Sequence, residues 1–272
     1  MTSLTLHYPQ NTLPVSVTGS NCSLNCKHCR GYYLKSMKTL KDVEIPAHIP
    51  ENITSFLISG GSTTQGKVPI LNHLSLLQKL KQKGYRLNLH TGLAGHKEAG
   101  RLAELADVVS LDFPGDEAAI KEVYGLNKKP EDYIRVFKYL SEFTRVAPHL
   151  TLGLNRGKIC GEFSALEALA SLNAEKIIFL VIIPTPHTPF YNIKPPSLKK
   201  IEKVLDFARQ ILPMAKFGLG CMHPRGRYKK ELEKIALKFN FTSIVNPSRE
   251  LVDLFNNENI KYKIDRECCS FC

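Results

Sequence analysis

Two hydrophobic periods alternate along this chain. Short runs rich in Val, Ile, Leu and Phe predict strands over 14–18, 55–59, 86–90, 107–111, 149–154, 176–183, 216–219 and 242–245. Between most of them apolar residues recur at helical spacing, over 68–83, 97–105, 131–142, 164–172, 198–211 and 228–239. Strand and helix in alternation imply a parallel sheet covered by helices. Six to eight such units curl into a partial or complete (β/α) barrel of the TIM type, with an open doubly wound sheet as the alternative. Either architecture puts the chemistry at the carboxyl ends of the strands. The pattern divides the chain into a barrel domain over 1–245 and a C-terminal tail over 246–272, expected to fold over the barrel mouth.

Composition narrows the class. The chain has 272 residues, 43% of them apolar, enough to bury the core of one large domain. No run of eighteen apolar residues occurs, and the first ten residues lack the charged-then-apolar pattern of a signal peptide, so a cytoplasmic protein without a membrane span is expected. The net charge is +12, but the basic residues are spread along predicted helices rather than interleaved with aromatics, so no nucleic-acid partner is expected. Eight cysteines in a reducing compartment read as metal ligands or catalytic groups rather than disulfides. Three lie at 22, 26 and 29, three at 268, 269 and 272, and two stand alone at 160 and 221, which implies two sites.

Cys22-Ser-Leu-Asn-Cys26-Lys-His-Cys29 follows a predicted strand and a Thr-Gly-Ser turn, placing three thiolates on one loop at the top of that strand. Three cysteines cover three corners of a [4Fe-4S] cubane and leave one iron without a protein ligand. Structural zinc is the other reading, and it requires four ligands, His28 being the nearby supplement. The spacing C-x3-C-x2-C, with the ring of His28 just before the third cysteine, resembles the signature of the radical S-adenosylmethionine superfamily. The resemblance implies that superfamily's barrel and a [4Fe-4S] cluster that binds S-adenosylmethionine and cleaves it reductively. The resulting 5′-deoxyadenosyl radical then takes hydrogen from an unactivated carbon.

Three more segments are similar to the family at the expected places. Ser59-Gly60-Gly61-Ser62 resembles its Gly-Gly-Glu motif, with Ser62 where Glu is usual, and implies close backbone approach to the methionine amino group. The segment from Asn155 to Glu162 resembles the stretch that holds ribose and carboxylate, implying Asn155 and Arg156 as polar contacts and Ile159 against the adenine. Pro184-Thr-Pro-His-Thr-Pro189 resembles the Pro-Thr-Pro-Gly-Thr-Pro loop of biotin-synthase-like enzymes, which implies Pro184 in the wall of the adenosine pocket. Asn88, His90 and Asp112, at strand ends, can reach ribose or substrate, or serve as caps and satisfied network members.

The chain ends in Cys268-Cys269-Ser270-Phe271-Cys272, where a terminus ordinarily frays, and the three thiols read as a ligand set. Cys221 is the natural fourth ligand and Cys160 the competing one, for a second [4Fe-4S] cluster or for a four-thiolate zinc. These cysteines, the Gly-Lys-Ile-x-Gly-Glu segment, the Pro-Thr-Pro loop and the run from Gly220 to Arg227 resemble the biotin-synthase-related proteins that act as paired lipoyl synthases. That likeness implies a sulfurtransferase of the 2.8.1 class, with the second cluster as sulfur donor to C6 or C8 of an octanoyl chain. The chain would be borne by a lipoyl carrier such as an H-protein or an E2 lipoyl domain. A sister radical subunit and a ferredoxin or flavodoxin reductant are implied with it. The positive charge would steer an acidic carrier. The competing readings are another radical sulfurtransferase or biotin-synthase-like enzyme with a different substrate, and a zinc-bearing binding module.

Overall fold

The protein is described from a computed structural model covering residues 4–45 and 48–272. Its strands are β1 (Thr5–His7), β2 (Thr12–Ser16), β3 (Lys38–Thr39), β4 (Ser55–Ser59), β5 (Arg86–His90), β6 (Val108–Asp112), β7 (Val146–Leu152), β8 (Lys176–Val181), β9 (Lys216–Leu219), β10 (Ser243–Val245) and β11 (Lys263–Asp265). Its helices are α1 (Leu40–Glu44), α2 (Leu74–Gln82), α3 (His96–Ala103), α4 (Glu117–Ala119), α5 (Pro130–Ser141), α6 (Glu162–Ser171), α7 (Leu198–Ile211), α8 (Arg227–Lys238) and α9 (Arg249–Asn257). All described strand pairs are parallel, in the order β11-β1-β10-β9-β8-β7-β6-β5-β4-β2-β3. The sheet curls into a partial barrel. Among the described residues no helix is long and apolar enough to cross a membrane.

The two faces of the sheet follow from the two-residue period of a strand. Leu87 and Leu89 of β5, Val109 and Leu111 of β6, Leu150 and Leu152 of β7, and Phe179 and Val181 of β8 pack outward against the apolar stripes of α2, α3, α5, α6 and α7 in the main core. The alternate residues turn inward. Low in the lumen Val108, Ala147, Ile178 and Val245 form a separate apolar cluster, while Asn88, His90, Ser110, Asp112 and His149 make the wall above it polar.

Strands β4, β5 and β9 and helix α7 fall where the pattern predicts them. Strand β7 starts three residues earlier than predicted, because Pro148, which gives up a ladder hydrogen bond, lies within it rather than before it. Strands β1, β3 and β11 have three, two and three residues, too few for a period to show. Beyond Val245 the chain makes one more unit, α9 then β11, and β11 pairs with β1.

The last residues correct the expectation that the tail covers the mouth. Cys268 N–H donates to Thr12 Oγ1, and Glu267 bonds Thr54 and Arg86, all at the amino ends of strands. Lys176, the first residue of β8, reaches the Cys269 and Cys272 carbonyls, and Arg145 donates to the Phe271 carbonyl. Cys269 and Phe271 insert among Val108, Ala147, Ile178 and Val245. The tail is therefore a plug in the barrel floor. The physical reason is that this partial barrel leaves those inward apolar residues without a partner layer, and the terminal Cys-Ser-Phe turn supplies it.

Candidate functional site

The loop after β2 carries Cys22, Cys26 and Cys29, and its shape is built by backbone contacts. Thr18 Oγ1 donates to the Asn21 carbonyl at 2.8 Å and accepts the Gly61 N–H at 2.7 Å, tying the loop to the end of β4. Ser23 N–H reaches the Ser62 carbonyl at 2.9 Å, so Ser62 serves this loop through its backbone. Gly61 is obligatory here, since a Cβ on it would lie 1.9 Å from the Asn21 oxygen and 2.6 Å from Cys22 Cα. The glycine pair thus seats the cysteine loop itself. Asn25 and Arg30 take left-handed backbone, φ 47° and 45°, to turn the loop back over the barrel.

One donor atom from each of Cys26, His28 and Cys29 lies within 4.8 Å of the others, and the Cys22 thiol stands outside that group, directed at the Ser62 carbonyl. Among the described residues no four donors close a tetrahedral zinc site here. Cys29 is held down to about 4, chiefly by its hydrogen bond from Cys26, with burial opposing and His28 assisting. The proton shared by the pair sits on Cys26, whose thiol that hydrogen bond and burial push far up. The surroundings thus favour a thiolate at Cys29, the form that ligates iron. His28 packs edge-on against Tyr124 at 5.7 Å, and its Nδ1 is buried without a hydrogen-bond partner. Three thiols on one loop, with one in surroundings that favour its thiolate, fit a cluster held through three irons.

Beneath the loop, His90 Nε2 stands 3.5 Å from Asp112 Oδ1, and the His90 and His149 rings are 6.0 Å apart. Burial raises Asp112, but the charge and hydrogen bond of His90 outweigh it and hold the carboxyl at about 2. Burial lowers His90 and Asp112 overcomes it, so His90 titrates above its ordinary value. His149 drops to about 4 through burial and the neighbouring His90 charge, and its Nδ1 contacts the Ala147 carbonyl at 2.9 Å. The lumen therefore offers one ion pair and one neutral imidazole. Lower still, Ser110 donates to Asn88 Oδ1 at 2.9 Å and Asn88 Nδ2 donates to Cys268 Sγ at 3.4 Å, which commits Asn88 to the floor network.

The loop after β7 is pinned by Glu162, whose buried carboxylate accepts the Gly153 and Cys160 N–H groups at 2.6 and 2.7 Å. Asn155 lines a shallow cleft with Asp116, Tyr124 and His149, with room of only about 20 Å³. Arg156 turns to Glu122 Oε1 at 2.9 Å, an oxygen that also takes Lys27 of the cysteine loop at 2.8 Å. Ile159 packs on the helix-side core. Across the mouth, Tyr33 and Thr185 hydroxyls meet at 2.7 Å and join the cysteine loop to the Pro184–Pro189 segment. His187, where the resembled loop has glycine, adopts a left-handed φ of 61°.

The remaining thiols divide. Cys268 is held near 6, first by a hydrogen bond from Cys269 and then, against burial, by Ser270 and Asn88. Cys221 is pushed up to about 11 by burial and by the Cys268 charge, and Cys160 is raised by burial and then by Glu162 and Asp116. Cys272 turns away to Asp265 Oδ2 at 3.2 Å. Among the described residues no three of Cys221, Cys268, Cys269 and Cys272 bring their thiols within 4.8 Å. A four-cysteine site is not assembled as the chain stands.

His149, Tyr33, Glu122 and Tyr124 were not singled out from sequence. His149 was readable in principle, since Ala147, His149 and Thr151 alternate with Leu150 and Leu152. The other three depend on loop-to-loop contacts with no local signal.

No protein-family model and no curated protein sequence matches the chain. Solved structures do. Methylornithine synthase, PylB, superposes with a TM-score of 0.66 at 12% identity, covering 97% of this chain and 84% of that one. The FeFe-hydrogenase maturase HydG from Carboxydothermus hydrogenoformans gives 0.66 at 17% identity, over 99% and 70%. Streptococcus suis SuiB bound to S-adenosylmethionine gives 0.60 at 15%, over 88% of this chain and 58% of SuiB, and SuiB has also been solved with its precursor peptide SuiA. At such identities the likeness is one of architecture, and this chain has the partial (β/α) barrel fold of the radical S-adenosylmethionine enzymes.

Proposed function

We propose that this chain is a radical S-adenosylmethionine enzyme that inserts sulfur into an unactivated C–H bond of a protein-bound octanoyl chain, as one component of a two-protein lipoyl synthase. The observation that carries the reading is the stacking within one lumen. The Cys22–Cys26–Cys29 loop lies over the His90–Asp112–His149 layer, and the Cys268 thiol lies beneath it, on Asn88. A substrate carbon held in that middle layer would have radical chemistry on one side and sulfur on the other. When bound, the cluster and S-adenosylmethionine supply reductive cleavage and the abstracting carbon radical.

The chain's own residues position and exclude. Gly61 seats the cysteine loop, Glu162 fixes the loop bearing Asn155, and the Tyr33–Thr185 bond narrows the mouth. The His90–Asp112 pair and the neutral His149 offer donors and an acceptor to the amide that joins the acyl chain to its lysine. The plug closes the floor against water. A protein-borne substrate accords with the peptide-bound form of SuiB, and a cytoplasmic setting with the free thiols. A lipoyl carrier, a sister subunit and a ferredoxin or flavodoxin donor belong to this reading.

Anaerobic reconstitution with iron and sulfide tests it. The expected protein is brown, holds about eight irons per chain, releases 5′-deoxyadenosine with an octanoyl-lysyl peptide, and yields a thiolated product. A product without added sulfur selects another radical reaction in the same barrel. A colourless protein with stoichiometric zinc selects the binding-module reading and ends this one.

A further inference from the structure

A net charge of +12 does not say where on the molecule it sits, and the fold gathers most of it at one end. Eight connections leave the carboxyl ends of β2 and of β4 through β10, and in a parallel barrel sheet all of them open at the mouth. Seven of these, 17–37, 60–73, 91–95, 153–161, 182–197, 220–226 and 246–248, contain eight Lys or Arg and not one Asp or Glu, although the chain has 25 acidic residues. The eighth, 113–129, balances Asp116, Glu117 and Glu122 against Lys121, Lys128 and Lys129. Helices α7 and α8 start at the same end with Lys199 and Lys200, and with Arg227, Lys229 and Lys230, and neither has an acidic residue in its first turn. A helix amino end favours the opposite sign, so helix stability does not account for these cations. Lys27 and Arg156 share Glu122, and Lys67 pairs with Glu98. Arg30, Lys35, Lys158, Lys194, Arg225 and Arg227 are exposed, and among the described residues none of them has an ion-pair partner. Part of this set is contiguous. A Cβ on Gly157 would lie 1.9 Å from the Lys194 oxygen, and the Tyr228 hydroxyl donates to the Pro196 carbonyl at 2.7 Å, so the segments bearing Lys158, Lys194 and Arg227 abut along one side of the mouth. Tyr191, 57% exposed, lies in the same connection as Lys194.

We propose that the mouth is the docking face for a folded, acidic protein domain, which Arg30, Lys35, Lys158, Lys194, Arg225 and Arg227 attract and Tyr191 anchors. Unpaired cations around an opening raise the rate of encounter with an acidic surface and set its orientation. An exposed tyrosine beside them supplies the aromatic contact that protein interfaces favour. A folded domain fits this face better than a nucleic acid does, because Asp116 and Glu117 interrupt the basic rim on one side. A uniformly anionic strand is repelled there, whereas a protein surface can present a basic group to them. That the domain is the acyl carrier rests on the proposed function; the position of the face rests on charge and topology alone.

The probe is an octanoylated lipoyl domain with an acidic surface, labelled with a fluorophore. Its binding to the full-length, anaerobically reconstituted protein is read by anisotropy from about 50 to 300 mM salt, a range over which screening tightens. Affinity is expected to fall as salt rises. K194E combined with R225E lowers it about tenfold or more and flattens the salt dependence. K216E combined with K263E makes the same charge change on the exposed first residues of β9 and β11, at the opposite end of the barrel, and alters affinity about twofold or less. Y191A weakens binding and leaves the salt dependence as it was. Equal losses in the two charge-reversed pairs, an affinity indifferent to salt, or no binding at all overturns the proposal. Displacement of the domain by a short single-stranded DNA, itself weakened by K194E with R225E, assigns the face to nucleic acid and overturns it as well. The catalytic reading fails separately, when the parent protein releases no 5′-deoxyadenosine with a short octanoyl-lysyl peptide, a substrate that needs no docking face.

Discussion

Replacing Gly61 with alanine isolates the contact that shapes the cysteine loop. The new Cβ would sit 1.9 Å from the Asn21 oxygen, and contacts under 3.0 Å are essentially never seen, so the loop must retreat by at least 3.0 − 1.9 = 1.1 Å. The obstacle is backbone on both sides, at Asn21 and Cys22, so no side-chain rotation relieves it. Overpacking of this kind costs about 1–3 kcal/mol, a modest loss for the fold. The displaced residue, however, carries the first thiol. Disturbing the groups that orient metal ligands costs about 10–100-fold in affinity, so G61A is expected to fold but to retain little iron after reconstitution and gel filtration. Iron and sulfide per chain, far-ultraviolet circular dichroism and 5′-deoxyadenosine release together read the outcome. Gly100→Ala is the control, because its Cβ would meet only the Phe143 ring at 3.7 Å and alanine favours helix α3 by about 1 kcal/mol. A G61A protein with full iron content and undiminished cofactor cleavage would refute the argument that this glycine seats the loop.

Phe271→Ala should destabilise by about 3–5 kcal/mol, since it empties the plug's place among Val108, Ala147, Ile178 and Val245. It also removes the ring under Arg86, 4.2 Å from the guanidinium. A urea midpoint equal to the parent's would mean that the plug does not hold the floor. Glu162→Ala strips the buried Gly153 N–H and the part-buried Cys160 N–H of their acceptor, for about 1–3 kcal/mol. On the proposed function S-adenosylmethionine affinity should fall with it, and calorimetric titration showing unaltered binding would show that this loop takes no part in holding the cofactor. His149 lies below its ordinary value of 6.5, at about 4, a difference worth roughly 3 kcal/mol before solvent contact is discounted. Its folded form resists protonation, so its contribution is complete above pH 6.5 and is lost as pH falls toward 4. His90 runs the opposite way, so the comparison is between proteins: H149Q should lose less stability than the parent between pH 7 and pH 5, by about 1–2 kcal/mol. Parallel urea-derived stability profiles across that range would show that this histidine does not titrate as its surroundings dictate.

Much of this protein was legible along the chain because its determinants are local. The barrel architecture follows from strand runs such as 55–59 and 86–90 alternating with stripes such as 198–211, and the first thiol set follows from three cysteines within one short loop. Periodicity and short spacing are properties of neighbours in sequence, so they survive without a structure. Position across the barrel does not. That the tail lies beneath the floor was decided by Val108, Ala147, Ile178 and Val245 lacking a partner layer, four residues from four strands. That the tail thiol of Cys268 meets Asn88, that Cys272 lies near His7 at the other end of the chain, and that His149 stands beside His90 all depend on where separate loops and strands meet. Contacts spanning up to 265 residues, as between His7 and Cys272, exist only once the sheet has curled, because burial and exclusion of water, rather than chain spacing, select them.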